Sequence, residues 1–524
     1  MTPARAPNEA PPRAGRREWI GLGVLALACL LYVMDLTVLH LAIPSISEDL
    51  QPSSSQLLWI IDIYGFMVAG SLITVGTLGD RIGRRRILLI GAAAFGVASI
   101  LAALSTSAGR LIATRALLGI AGATVAPSTL SLIRNMFLDE HQRRVAVSVW
   151  IMSFSIGGAI GPLIGGVLLE YFWWGSVFLI SVPVMALLLV IGPIFLPEYR
   201  DPNAGTPDLV SAALSLVAVL AMIFGLKRIA QDGIHPIGLV AILTGLLLGV
   251  AFVRRQLALS DPLIDLRLFR LPAFSASVAA YGLTILVSFG GFLFLPQYLQ
   301  LVLGLSPLVA AVWTLPWALA FTVGSMATPP LARAVQPAHL MSAGLALSAI
   351  GYGMVTAFDA TTRLPLFAVA TFLLAVGIAP VFTLTTDLII GAAPAERAGA
   401  ASAISETSAE FGGALGIAVF GSIGVAVYRA AMTDAIPPNV APDAVQAATA
   451  TLAGAMEVAG QLARTAGDVV RDAARVAFVQ GLRLCAAISA IASVALAIFA
   501  MRSLRCGQRS SESSDAATLS PDEA

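Results

Sequence analysis

The sequence predicts an all-α integral membrane protein, and three observations carry that prediction. Of its 524 residues, 58% are hydrophobic and only 12% are charged. A soluble domain needs roughly 25% charged residues to cover its surface, so this chain must dissolve in something other than water. The apolar residues gather into runs of bilayer-spanning length, and the basic residues collect in alternate connections between those runs.

A spanning helix needs about 20 mostly apolar residues. Such runs lie at 19–43, 59–79, 87–107, 111–133, 145–169, 173–196, 208–226, 236–253, 272–296, 307–330, 338–357, 364–391, 399–427 and 480–501, which predicts fourteen spans. The seventh and eighth are short, and a break falls around Gly304 and Pro307. The first run is too long for a signal-peptide core and lacks a small-residue cleavage site, so it is expected to stay as a span. One connection is long, 428–479. Its Pro437, Pro438 and Pro442 are followed by amphipathic stretches, Met456 to Leu462 and Val469 to Val476, which predict two short surface helices.

Basic residues favour the cytoplasmic side of a membrane. With the N-terminus inside, that side receives Arg16, Arg17, Arg81, Arg84 to Arg86, Arg143, Arg254 and Arg502. Both termini are therefore expected in the cytoplasm, with the long connection outside. Arginine supplies nearly all the positive charge, and Lys227 is the only lysine, as expected of a bacterial cell-membrane protein from a GC-rich genome. A net charge of +1 gives no case for nucleic acid. Cys29, Cys485 and Cys506 have no metal-like spacing, so no metal and no cofactor are expected. A phosphate-binding loop of the G-x-x-x-x-G-K-[ST] type is absent, which excludes ATP as the energy source. Neither a nucleophile elbow nor a soluble catalytic domain is present, so the chain is not expected to be an enzyme.

Six ionisable side chains fall inside apolar runs: Asp35, Asp62, Arg115, Asp387, Glu406 and Glu410. Each costs about 2.5–3.5 kcal/mol to insert, so they are expected to face a polar cavity or one another. Five are acidic and one is basic, so internal pairing leaves carboxylates to be protonated, hydrated or matched by a cationic ligand. A proton and an organic cation would then compete for the same carboxylate, which is a physical basis for exchange. Glu406 and Glu410, spaced i, i+4, share one helix face. Asp62 lies between Trp59 and Tyr64, where aromatic faces and a carboxylate converge on an organic cation. His40 is read as a packing residue near a helix end.

The connection after the second span reads Gly76-Thr-Leu-Gly-Asp80-Arg81-Ile-Gly83-Arg84-Arg85-Arg86. It resembles the loop motif of the major facilitator superfamily, where glycines give a tight turn and the aspartate engages the basic cluster. Met34-Asp35-Leu-Thr37, continuing to Ala42-Ile-Pro44, looks like the first-helix motif of the drug:proton antiporters. Leu111-Ile-Ala-Thr-Arg115, continuing to Gly119-Ile-Ala-Gly122, looks like their fourth-helix motif, whose arginine is assigned to proton coupling. Gly157-Gly-Ala-Ile-Gly161-Pro162-Leu-Ile-Gly165 looks like their fifth-helix motif. Trp59-Ile-Ile-Asp62-Ile-Tyr64 and Ser405-Glu406-Thr-Ser-Ala-Glu410 are similar to the fourteen-helix quaternary-ammonium and dye exporters. The C-terminal counterpart of the loop motif is degenerate around Leu331-Ala-Arg333, and the tenth span lacks the acid found in some quaternary-ammonium exporters.

The resemblance implies the major facilitator fold, with a six-helix bundle over 19–200, two inserted helices over 201–255 and a second six-helix bundle over 256–503. Residues 1–18 and 504–524 are then cytoplasmic tails, the latter disordered. It also implies roles. Asp35 and Arg115 couple protons; Trp59, Asp62, Tyr64, Asp387, Glu406 and Glu410 bind substrate. Gly76, Asp80, Arg81, Gly83, Arg84, Gly157, Gly161, Pro162 and Gly165 serve the switch between states. The implied activity is proton-coupled export of lipophilic cations by a monomer. The alternative is export of an endogenous neutral or anionic metabolite, such as a producer's own antibiotic.

Overall fold

A computed structural model describes residues 13–200, 208–232, 235–259, 262, 266–391, 398–433, 435–436 and 442–518. Within its helices, a few side chains fall outside the described residues, among them those of Asp80, Asp387, Glu406, Glu410 and all positions from 504 onward.

The first half holds α1 (Arg16–Leu50), α2 (Ser54–Ile82), α3 (Arg84–Ala103), α4 (Ala108–Gly122), α5 (Val125–Met136), α6 (Glu140–Tyr171), α7 (Ser176–Leu179) and α8 (Ser181–Phe195). There follow α9 (Leu209–Asp232) and α10 (Pro236–Ala258). The second half holds α11 (Pro272–Phe292), α12 (Leu295–Gln297), α13 (Pro307–Ala334), α14 (Pro337–Val355), α15 (Leu364–Gly391) and α16 (Ala398–Thr433). Last come α17 (Pro442–Ala450), α18 (Leu452–Gln461) and α19 (Arg464–Thr518). Among the described residues, 13 helical segments are long and apolar enough to cross a membrane, and α9 adds a shorter apolar stretch, Leu209–Gly225.

Local chemistry sets the breaks between helices. Ser53 caps α2, accepting from the Gln56 amide while the Gln56 side chain returns to the Ser53 amide. Ser306 accepts from Val309 N ahead of Pro307, which opens α13. Gly304, at φ +71°, makes the turn before it, as the expected break required.

Within the first half α1 packs on α6, α2 on α4, and α3 on α4 and α8. Within the second, α11 packs on α16 and α19, α13 on α15, and α14 on α15 and α19. The α9–α10 hairpin closes where Gly225 and Gly238 let the backbones approach, and α9 touches both α2 and α16. Leu247, Met326 and Ile491 are exposed, as lipid-facing side chains are in a bundle without its bilayer. Two groups of packed helices, α1–α8 and α11–α19, thus flank the α9–α10 hairpin.

The halves meet along one seam. Helix α6 packs on α13, α2 on α16, and α1 on α12 and α18. The described side-chain hydrogen bonds across it lie toward the end opposite the N-terminus. Gln300 Nε2 donates to Leu41 O at 3.1 Å, Gln51 Nε2 donates to Glu457 Oε1 at 2.8 Å, and Ser54 Oγ donates to Ala450 O at 2.5 Å.

Two element ends differ from expectation. Helix α1 continues past 43 to Leu50, because Pro44 sits within it without stopping it and Gln51 closes it in the left-handed region at φ 43°. His40 is therefore well inside a helix, not near its end. The final helix begins at Arg464 and runs to Thr518, so the second amphipathic stretch is its first turns and the segment after 503 continues it. No proline interrupts it. With α17 and α18, the long connection has three helical pieces where two were expected.

Candidate functional site

The best-defined polar centre joins α1, α2 and α4. Arg115 Nη1 donates to Asp35 Oδ2 at 2.8 Å, and its Nε donates to Ile60 O at 3.1 Å. The two side chains are 1% and 7% exposed. The guanidinium also lies 4.9 Å from the centre of the Tyr64 ring and 5.9 Å from that of Phe178. A desolvated arginine over an aromatic face gains up to about 2 kcal/mol. Arg115 thus has an ionic partner on α1, a backbone acceptor on α2 and two rings as floor.

Tyr64 lies beneath Arg115, apart from Trp59. It is 0% exposed, shut between Arg115 and the close approach of Gly119 and Gly122. The reason is helical phase. Ile60 and Tyr64 face α4, whereas Trp59 and Phe66 turn toward α9 and α16, packing among Ile223, Leu415 and Ala418. Asp62 falls on the same stripe as Trp59 and Phe66 by its i, i+3, i+7 spacing and is 1% exposed. Trp59 and Asp62 therefore share a face that Tyr64 does not.

Glu406 and Glu410 sit one turn apart on α16, and Asp387 on α15; their side chains lie outside the described residues. Their neighbourhood is tightly built. The Gly412 and Gly416 positions of α16 bear directly on the Gly282 and Leu286 backbone of α11.

Helix α6 supports the central pair from behind. Gly157, Gly161 and Gly165 face Leu30, Met34, Thr37 and Val38 of α1, at distances where any side chain would collide. Pro162 lies within α6. The helix carrying Asp35 is thereby laid against a flat stripe of small residues.

At the α2–α3 joint, Gly83 adopts φ +119°, a conformation that glycine alone takes freely, and a Cβ there would strike Glu198. Arg84 N donates to Tyr199 O at 2.9 Å, Arg85 N to Glu198 Oε1 at 3.2 Å, and Arg85 Nη1 to Leu196 O at 2.9 Å. Arg85 and Arg86 also approach Glu198 Oε2 at 3.5 and 3.7 Å. The basic loop is a clamp on the end of α8. Sequence reasoning missed Glu198 and Tyr199, although a carboxylate just past an apolar run, on the same expected side of the membrane as the arginine cluster, was a usable signal. Gly76 packs loosely near Pro127, Arg81 is exposed, and the Asp80 side chain lies outside the described residues.

A second polar clamp holds the α9–α10 hairpin. Asp208 accepts from Ser211 N at 3.0 Å and from Arg255 Nη2 at 3.1 Å, and Gln256 Nε2 donates to Ser211 Oγ at 2.7 Å. Desolvation raises the Asp208 carboxyl, but the Ser211 and Arg255 hydrogen bonds outweigh it and bring it down to about 2.

Residues 25–417 match the Major Facilitator Superfamily. The chain belongs to that family. It is a transporter, not an enzyme. It is 42% identical over 485 residues to the multidrug efflux pump LfrA of Mycolicibacterium smegmatis, covering 93% of this chain and 96% of that one. It is 37% identical over 467 residues to the methyl viologen resistance protein SmvA of Salmonella typhimurium, covering 88% and 93%. It is 31% identical over 490 residues to the tetracenomycin C resistance and export protein of Streptomyces glaucescens, covering 92% and 91%. Among solved structures, an inward-facing bacterial homologue of the human lysosomal transporter Spinster superposes with a TM-score of 0.68 at 18% identity. That match covers 95% of this chain and 98% of the other, and it speaks for the fold alone.

Proposed function

We propose that the chain is a proton-coupled drug exporter of the bacterial cell membrane, with both termini in the cytoplasm and lipophilic organic cations among its substrates. The observation that carries the reading is the buried Asp35–Arg115 pair at 2.8 Å, on the helix that packs along the Gly157–Gly165 stripe. Relatives named for multidrug efflux and for resistance to methyl viologen support the drug-export part. The basic residues toward the N-terminal end face support the orientation.

The cycle follows from the groups in place. In the proposed cycle the bundles, joined at their far ends, part at the cytoplasmic end and admit a cation into a central cavity from there or from the inner leaflet. Asp62 on α2 and Glu406 and Glu410 on α16 give the cavity negative potential, and Trp59 lends aromatic surface. Rocking exposes the cavity to the outside, where protonation of Asp35 frees Arg115 and neutralised acids release the cation. Asp80, Arg81, Gly83 and Arg84 stabilise one end state of that movement, with Glu198 anchoring their loop.

The test is efflux by a pump-deficient bacterium expressing the chain, with ethidium and a quaternary ammonium compound set beside uncharged antibiotics, before and after collapse of the pH gradient. Energy-dependent expulsion of the cations, lost on collapse, is the expected result. The second reading is export of an endogenous metabolite, favoured by the match to the tetracenomycin C export protein. Expulsion confined to neutral or anionic compounds would establish it instead.

A further inference from the structure

The seam between the halves holds a buried histidine that the coupling scheme leaves unused. His40 lies on α1, 5 residues beyond Asp35, and is 6% exposed. Its ring meets Phe292 of α11 edge to face at 5.5 Å between centroids, and Phe292 in turn rests on Trp317 of α13 at 5.2 Å. The next residue along α1, Leu41, accepts the Gln300 hydrogen bond from the opposite half. His40 therefore stands in the outer closure itself. Its Nδ1 is buried with no hydrogen-bond partner among the described residues.

A residue present only for packing has no reason to keep a dry polar nitrogen, which costs roughly 1–3 kcal/mol. The surroundings of His40 are also hostile to charge. From α11 and α13 it faces Phe292 and Trp317, and the nearby Gln300 is uncharged. From α4 the electrostatic neighbour is Arg115, a cation, and the carboxylate on its own helix, Asp35, is already committed to that arginine. An imidazolium formed here would be a buried cation beside apolar rings, with no free counter-charge among the described residues. Separation of the halves wets the same ring and removes the penalty.

We infer that His40 is a second protonation site of the transport cycle, neutral while the outer seam is closed and protonated when it opens. External acid then favours the outward-open state, which is the state that must receive protons in an exporter driven by their entry. The inference rests on the alternating-access reading above, but its readout is a conformation and not transport.

Spin labels at Thr106 and Ala360, exposed in outer loops of the two halves, report the outer opening in a cysteine-free protein in nanodiscs. An imidazole in water titrates near 6.5, so pH 8 and pH 5.5 bracket it. In the wild type, the long-distance population should rise severalfold between those pH values. His40→Asn should keep the pH 8 distribution and lose most of the rise, in both the wild-type and the Asp35→Asn background. His40→Arg, with a fixed charge, should hold the long distance even at pH 8. An undiminished rise in His40→Asn, or a short distance in His40→Arg, overturns the inference. Loss of the rise in His40→Asn, in a protein that exports no cation, keeps the pH-sensitive seam and removes the exporter reading instead.

Discussion

The Asp35 carboxylate and the Arg115 guanidinium meet at 2.8 Å between α1 and α4, and both are withdrawn from solvent. An ion pair so placed is a poor source of stability, because desolvation offsets most of its attraction. Removing one partner is expensive, however, at about 3–5 kcal/mol. That asymmetry makes the pair suitable as a switch. A proton delivered to Asp35 leaves Arg115 without its counter-ion, and the bundle must rearrange to rehydrate it.

Arg115→Ala should leave a buried carboxylate unpaired and lower both the melting temperature in detergent and the yield of folded protein. Asp35→Asn keeps a hydrogen-bond acceptor for Arg115 but removes its counter-charge, and should lose only part of that stability. Equal destabilisation by both would mean that the pair is a structural strut and not a switch. Thermal unfolding followed by intrinsic fluorescence distinguishes the cases.

Tyr64 supports Arg115 by its ring face, with the centroid 4.9 Å from the guanidinium carbon. Tyr64→Phe retains that face and should transport normally. Tyr64→Ala removes it, along with the contacts of a fully buried side chain, and should cost about 3–5 kcal/mol of stability. If Tyr64 instead touched substrate, Tyr64→Phe would change the ranking of drugs in an efflux panel.

Most of the fold was legible in the sequence because lipid imposes a length on every span, and thirteen helical segments among the described residues carry it plainly. The α9 span was hard to bound because its apolar stretch ends at Gly225 while the helix continues to Asp232. The start of α19 was misplaced for a related reason. Residues 464–479 are amphipathic and have no breaker after them, so they join the final span instead of forming a separate surface helix. At the site, Asp35 and Arg115 were readable as charges stranded in apolar runs. What sequence spacing did not convey was phase. Trp59 and Tyr64 are 5 residues apart on α2 and turn to different neighbours, one to α9 and α16 and the other to Arg115. Glu198 was not found because its partners, Arg85 and Arg86, lie more than 110 positions away.

Glu198→Ala should release the α2–α3 joint from the end of α8. Transport of every substrate should fall by a similar factor, since recognition residues are untouched. Asp80→Asn, in the same loop, should behave alike while the protein still reaches the membrane. Rates measured for one cationic and one neutral drug provide the check, and loss confined to one of them would count against a switching role for the clamp.

The Asp208–Arg255 clamp gives a pH signature. The folded carboxyl titrates at about 2, below the roughly 3.9 of a free aspartate, so folding favours its ionised form. Its stabilisation is present above pH 4 and is lost as pH falls toward 2. Asp208→Asn should therefore melt below the wild type at pH 7, with the gap closing between about pH 4 and pH 2. A gap independent of pH would show that the side chain acts only by its shape.

Coupling through Asp35 is the centre of this account, and purified protein in liposomes tests it without the rest of the cell. With an imposed pH gradient, ethidium should move against its own gradient as protons flow the other way. Asp35→Asn protein, reconstituted in equal amount, should bind ethidium yet fail to concentrate it. Uphill accumulation by Asp35→Asn at the wild-type rate would contradict the account.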